Sequence, residues 1–262
     1  MSLIRNRLWL WGHSAGAHNG QYHLPADSRM TPVEAAYYLG ISNLIMVNYA
    51  DAPRPPFAPH MIAFRPLKHV VWSAMGDSSS TQSYLDEVLD LAAHFPNLHG
   101  AILDDFFHAP DATGTFSRLQ ADDLLAYQRR LHATTPPLDL FVVVYAQDLE
   151  LPIRPYLEYC DVATFWTWRV EDLPNLEHNF TRLEAAAPDT RLMLGCYLWD
   201  FGAAQPMPLE LMQHQCLLGR RLLREGRIEG MIFLSNTVCD LELDTVEWVR
   251  QWIRDVGDNP VR

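Results

Sequence analysis

Short apolar runs alternate along the chain with longer amphipathic stretches, and polar loops join them. Eight runs have strand length and are rich in β-branched and aromatic residues: 8–11, 43–49, 69–75, 100–106, 138–146, 162–168, 192–199 and 230–235. Helical signals follow most of them. Thr31-Pro32-Val33-Glu34 places a capping threonine before a first-turn proline, and that helix stops at Gly40. Ser83 opens a second helix that runs to about His94, before Pro96. Ser117 is read as the cap of a third, which carries Leu119, Leu124, Leu125, Tyr127 and Leu131 at helical spacing. Residues 173–187 form a fourth, closed by Pro188; residues 209–224 form the longest, closed by Gly226; residues 244–253 form the last. The helix after the fifth strand is short, about 153–159, and 53–66 reads as a proline-rich segment rather than a helix.

Eight strand–helix units with no change of composition predict α/β architecture: a single (β/α)8 TIM barrel domain over residues 1–262. Phe141-Val142-Val143-Val144 suits a sheet covered on both faces. A doubly wound open sheet is the alternative. Residues 12–30 form a long irregular loop, and such loops in compact domains are functional or disordered.

Charge and cysteine usage narrow the function classes. A net charge of -12 argues against nucleic-acid and anionic-membrane partners, both of which need a basic footprint. No apolar run is long enough to span a bilayer, and residues 8–11 are too short for the apolar core of a signal peptide, so a cytoplasmic protein is expected. Cys160, Cys196, Cys216 and Cys239 include no C-x-x-C and match no zinc spacing, which suggests reduced thiols. No cofactor or metal is expected.

In a barrel of this kind chemistry sits where the strands end. Those ends carry Trp11 and His13; Asn48, Tyr49 and Asp51; Ser73 and Asp77; Asp104, Asp105, Phe106 and His108; Tyr145, Gln147 and Asp148; Trp166, Trp168 and Arg169; Tyr197, Trp199 and Asp200; Ser235 and Asn236. Aromatic rings are dense on this rim. Sugar rings present C–H faces that stack on flat aromatic surfaces, while Asn, Gln, Asp and His meet hydroxyls. The expected ligand is therefore a small carbohydrate, held by Trp11, His13, Asn48, Tyr145, Gln147, Trp166, Trp168, Tyr197, Trp199 and Asn236. The bland reading makes these aromatics core, since strand side chains alternate and half must point away from the axis.

Asp104-Asp105 directly follows an apolar strand, where a carboxylate is costly without a purpose or partner. Alternation implies that the two cannot both point into the barrel. One would act on a ligand while loop amides or Arg169 hold the other. The alternative is that both are structural.

The run Gly100-Ala101-Ile102-Leu103-Asp104-Asp105-Phe106-Phe107 resembles the fourth-strand signature of barrel-fold glycoside hydrolases, and Tyr197-Leu198-Trp199-Asp200 is similar in kind. The resemblance implies that Asp104 or Asp105 is a nucleophile or general acid/base. The chain departs from many such enzymes in having no Glu at any strand end. Glycoside cleavage uses two carboxyl groups. Asp200, beside Trp199, is the favoured second acid, ahead of Asp148, Asp77 and Asp51.

Other chemistries fit less well. The only lysine, Lys68, precedes the third strand and so lies at the wrong end for a Schiff base. Trp11-Gly12-His13 is not the His-x-His of an amidohydrolase, and no G-x-G-x-x-G, P-loop or G-x-S-x-G is present. A glycosidase, a non-catalytic sugar-binding barrel and a divalent-metal sugar isomerase or epimerase remain as readings.

Overall fold

A computed structural model of the chain describes residues 2–76 and 81–261. Eight parallel strands close into a barrel: β1 (Leu8–Gly12), β2 (Asn43–Met46), β3 (His69–Ser73), β4 (Leu98–Leu103), β5 (Asp139–Tyr145), β6 (Val162–Trp166), β7 (Arg191–Tyr197) and β8 (Gly230–Leu234). Each pairs with its neighbours in sequence, and β1 pairs with β8 from Leu8↔Met231 to Trp11↔Leu234. That pairing closes the ring and removes the open-sheet alternative. The helices are α1 (Pro32–Leu39), α2 (Ala58–Ala63), α3 (Thr81–Ala92), α4 (Ala121–His132), α5 (Arg154–Leu157), α6 (Leu176–Ala186), α7 (Leu209–Glu225) and α8 (Asp244–Val256).

Local chemistry explains several boundaries. The Thr31 hydroxyl accepts the Glu34 N–H and the Glu34 carboxylate accepts the Thr31 N–H, a reciprocal cap at the head of α1. Gly40 ends α1 in the left-handed region at φ 75°. The proline-rich segment does hold a helix, α2, because Pro59 falls in its first turn, where no N–H is needed. Ser117 is not the cap of α4. It pairs with Phe107 in a small return of the chain, and Gln120 precedes the helix instead. β7 ends at Tyr197, and Trp199–Asp200 pairs with Gln205–Pro206 in a separate antiparallel ribbon. Asp77 lies outside the described residues.

Apolar stripes on the helices pack against the barrel. On α8, Val246, Val249, Ile253 and Val256 recur at helical spacing and are buried. Inside, β1 sends Trp9 toward the N-terminal mouth and Trp11 toward the C-terminal mouth, two residues apart on one face of the strand. The four cysteines are free and buried.

Candidate active site

A cavity of about 560 Å³ opens at the C-terminal ends of the strands. Its depth is aromatic. Trp11 meets Trp166 edge-on at 5.0 Å, and Trp166 lies 5.2 Å from Tyr197. The Trp166 indole N–H donates to Thr164 Oγ1, so its burial leaves no donor unpaired. Nearer the opening, Trp168 packs edge-on to Tyr197 and Tyr145, and exposed Gln147 lines the rim.

Asp104 and Asp105 both line this cavity. Strand alternation, which would have turned one of them away, does not apply to them. β4 stops at Leu103, and Asp105 takes φ 45°, so the chain has left the pleat when it reaches the pair. The Asp104 carboxylate accepts the Asp105 N–H at 2.9 Å. The Asp105 carboxylate is held by the Tyr145 hydroxyl, which donates to it at 2.8 Å; of the two holders expected for one of the pair, loop amides or Arg169, a loop amide meets Asp104 and Arg169 is exposed. Burial pushes the Tyr145 phenol well above its ordinary range, and the nearby Tyr197, Asp104 and Asp105 add to this, so it stays protonated and donates. A second compartment of about 300 Å³, lined in part by Asn48 and Arg118, adjoins the first and shares Tyr49, Asp104 and Asp105 with it.

Asp148 is the third carboxyl in the cavity. It is 3% exposed and accepts the Tyr145 backbone N–H at 2.7 Å. Its pKa is raised to about 6: burial drives the rise, the Tyr145 hydrogen bond opposes it, and the nearby Asp105 charge adds to it. Tyr145 therefore holds two carboxyl groups, Asp148 through its amide and Asp105 through its phenol.

The long first loop forms the opposite wall. His13, His18, Tyr22 and Tyr49 line the cavity with Phe201, and the His13 and His18 rings lie 4.5 Å apart. Ser235 Oγ and Thr237 Oγ1 lie 2.5 Å apart, and Thr237 Oγ1 hydrogen-bonds His18 Nδ1 at 2.8 Å. Burial lowers His18 to about 4 and His13 well below its usual value, with His18 adding to the second shift. Both rings are thus neutral near pH 7.

Other expected site residues stand behind the cavity wall. Asp200 is buried and accepts the Ala203 N–H and the Gln205 side-chain amide, which fixes the turn of the ribbon. The Trp199 indole donates to Tyr22 O, and Asn236 bridges the His13 N–H and Met30 O. These two anchor the first loop. Asn48 lines only the second compartment and donates to Pro53 O. His18, Tyr22 and Phe201 line the cavity without directly following a barrel strand, so strand ends do not point to them. The length of the 12–30 loop was the available signal for the first two. Among the described residues no three His, Cys, Asp or Glu side chains gather as a metal-binding group.

No family model matches the chain, and no curated protein matches it. Solved structures do. A provisionally named alpha-L-fucosidase from Bacteroides thetaiotaomicron superposes with a TM-score of 0.65 at 9% identity, covering 99% of this chain and 98% of that one. A glycoside hydrolase family 5 enzyme of Prevotella bryantii B14, in complex with a xyloglucan tetradecasaccharide, gives 0.56 at 10% identity, covering 97% of each chain. An aldolase, QR15, gives 0.51 at 10% identity, covering 96% and 98%. At these identities the likeness establishes the fold, and one fold hosts many chemistries.

Proposed function

We propose that this chain is a carbohydrate-active hydrolase that cleaves a glycosidic bond at the carboxyl groups clamped by Tyr145. One observation carries the reading. Within a single aromatic cavity, one residue holds an acid with a raised pKa through its amide and a carboxylate acceptor through its phenol. Glycoside cleavage asks for that division between a group that delivers a proton and a group that attacks or activates water.

Asp148 donates the proton to the departing oxygen. Asp105 is the nucleophile or base, and Asp104 fixes the turn that presents it. Trp11, Trp166, Trp168 and Tyr197 stack on the sugar, while His13 and Gln147 meet hydroxyls. Asp200 has no direct part in this scheme because it is not among the residues that line the cavity, and its oxygens hold the ribbon turn. The glycoside hydrolases among the structural neighbours support the class of substrate, and the whole chain acts as one domain.

The test is a panel of aryl glycosides of differing sugar and anomeric configuration. Turnover of at least one member is expected, with Asp105→Asn lowering kcat by about a thousandfold or more while the circular dichroism spectrum is unchanged. Saccharide binding by calorimetry with no turnover would replace hydrolysis by a binding function. Neither binding nor turnover would end the proposal.

A further inference from the structure

The barrel has a second cavity at its other end. About 360 Å³ in volume, it lies at the N-terminal mouth and has Trp9 and Phe141 among its lining residues. Arg7, Lys68, His69, His99 and Arg191 converge on it in a chain whose net charge is -12.

The charges there are unevenly matched. Arg191 is held by two acids, Asp139 at 2.7 Å and Glu229 at 3.2 Å, and Asp139 also lies 3.5 Å from His99. Glu229 is the one carboxylate that lines the cavity among the described residues. Among those residues Arg7 and Lys68 have no carboxylate within ion-pair distance, yet both stand close enough to help depress the His69 imidazole. Lys68 is exposed, and it is the only lysine of the chain. His69 is stacked on Trp9 at 6.1 Å, which fixes its ring. Arg191 and His99 are thus paired with acids, whereas Arg7, Lys68 and the His69 imidazole are paired with none among the described residues.

We propose that this N-terminal cavity binds a small anion, a phosphate or carboxylate group, between Arg7, Lys68 and His69. Arg7 and Lys68 supply charge-assisted donors, His69 supplies a fixed N–H, and Trp9 with Phe141 forms an apolar surface for the remainder of the ligand. Glu229 opposes the anion and favours ligands that keep to the Arg7–Lys68 side. The site is independent of the C-terminal mouth, so it stands or falls apart from the hydrolase reading.

Calorimetric titration of the whole chain with sodium phosphate, and separately with sodium citrate, tests it against sodium chloride at matched ionic strength. The phosphate and citrate arms separate a phosphoryl from a carboxylate ligand. Saturable binding of one of them is expected, with Arg7→Ala and Lys68→Ala each weakening it about tenfold. Glu229→Gln is expected to tighten binding by a few-fold, an effect that loss of folding cannot mimic. His69, held at about 4, should titrate at higher pH when the anion is bound, as followed by NMR. A response to phosphate and citrate no greater than to chloride, or one that Lys68→Ala and Glu229→Gln both leave unchanged, would overturn the proposal.

Discussion

Tyr145 shows how much one residue can organise. Its position at the end of β5 aims its amide at Asp148 and its phenol at Asp105. The raised Asp148 pKa has two consequences with a definite sign. The folded state holds the proton more tightly than the unfolded state, so this group's contribution to stability falls as pH rises from the unfolded value, near 4, through about 6. Asp148→Asn keeps an acceptor for the Tyr145 N–H and removes the buried charge. The variant should be more stable than the parent above pH 6 by up to about 3 kcal/mol, with the difference vanishing in acid. The same substitution should cost about 10²–10⁴ in kcat and remove the activity loss that accompanies deprotonation near pH 6. Thermal melts and pH–rate profiles check the two halves. A variant that moved neither the stability curve nor the pH–rate profile would remove Asp148 as the proton donor.

Elements bring these residues together at positions that no single strand end specifies. The first loop is ordered by ties to distant segments: Asn236 to the His13 N–H and Met30 O, Trp199 to Tyr22 O, and Asp240 to the Arg29 N–H. A loop fixed in this way can supply a cavity wall. Across the barrel, Gly195 in β7 leaves room for the Trp166 indole, and a methyl group there would overlap the ring. Gly195→Ala should therefore displace Trp166 and cost about 1–3 kcal/mol, as overpacking does. Denaturant unfolding measures the cost, and tryptophan fluorescence reports the displaced ring. An unchanged midpoint would mean that the cavity floor has slack.

At the scale of the molecule, the β1–β8 pairing makes the two ends of the chain part of one closed sheet. Truncation after α7, which removes β8 and α8, should leave no folded core, because β1 and β7 would both become open edges with buried apolar faces exposed. Loss of near-UV circular dichroism in that fragment is the expected result, and a cooperative melt would argue for a smaller folding unit.

Alternating apolar and amphipathic stretches determined the eight strands and most of the helices, since the periods of side-chain burial are local properties of the chain. The pairing Asp104-Asp105 and the aromatic rim were legible for the same reason: strand ends are readable, and in this fold they face one mouth. What the sequence left open was decided by contacts across the barrel. Asp148 lines the cavity and Asp200 does not, although each follows a strand in the sequence. The difference lies in which backbone amides and side chains their oxygens meet after folding. The left-handed turn at Asp105, the wall built by His18 and Tyr22, and the cations gathered at the N-terminal mouth depend likewise on chain segments far apart in sequence, whose proximity only closure of the ring creates.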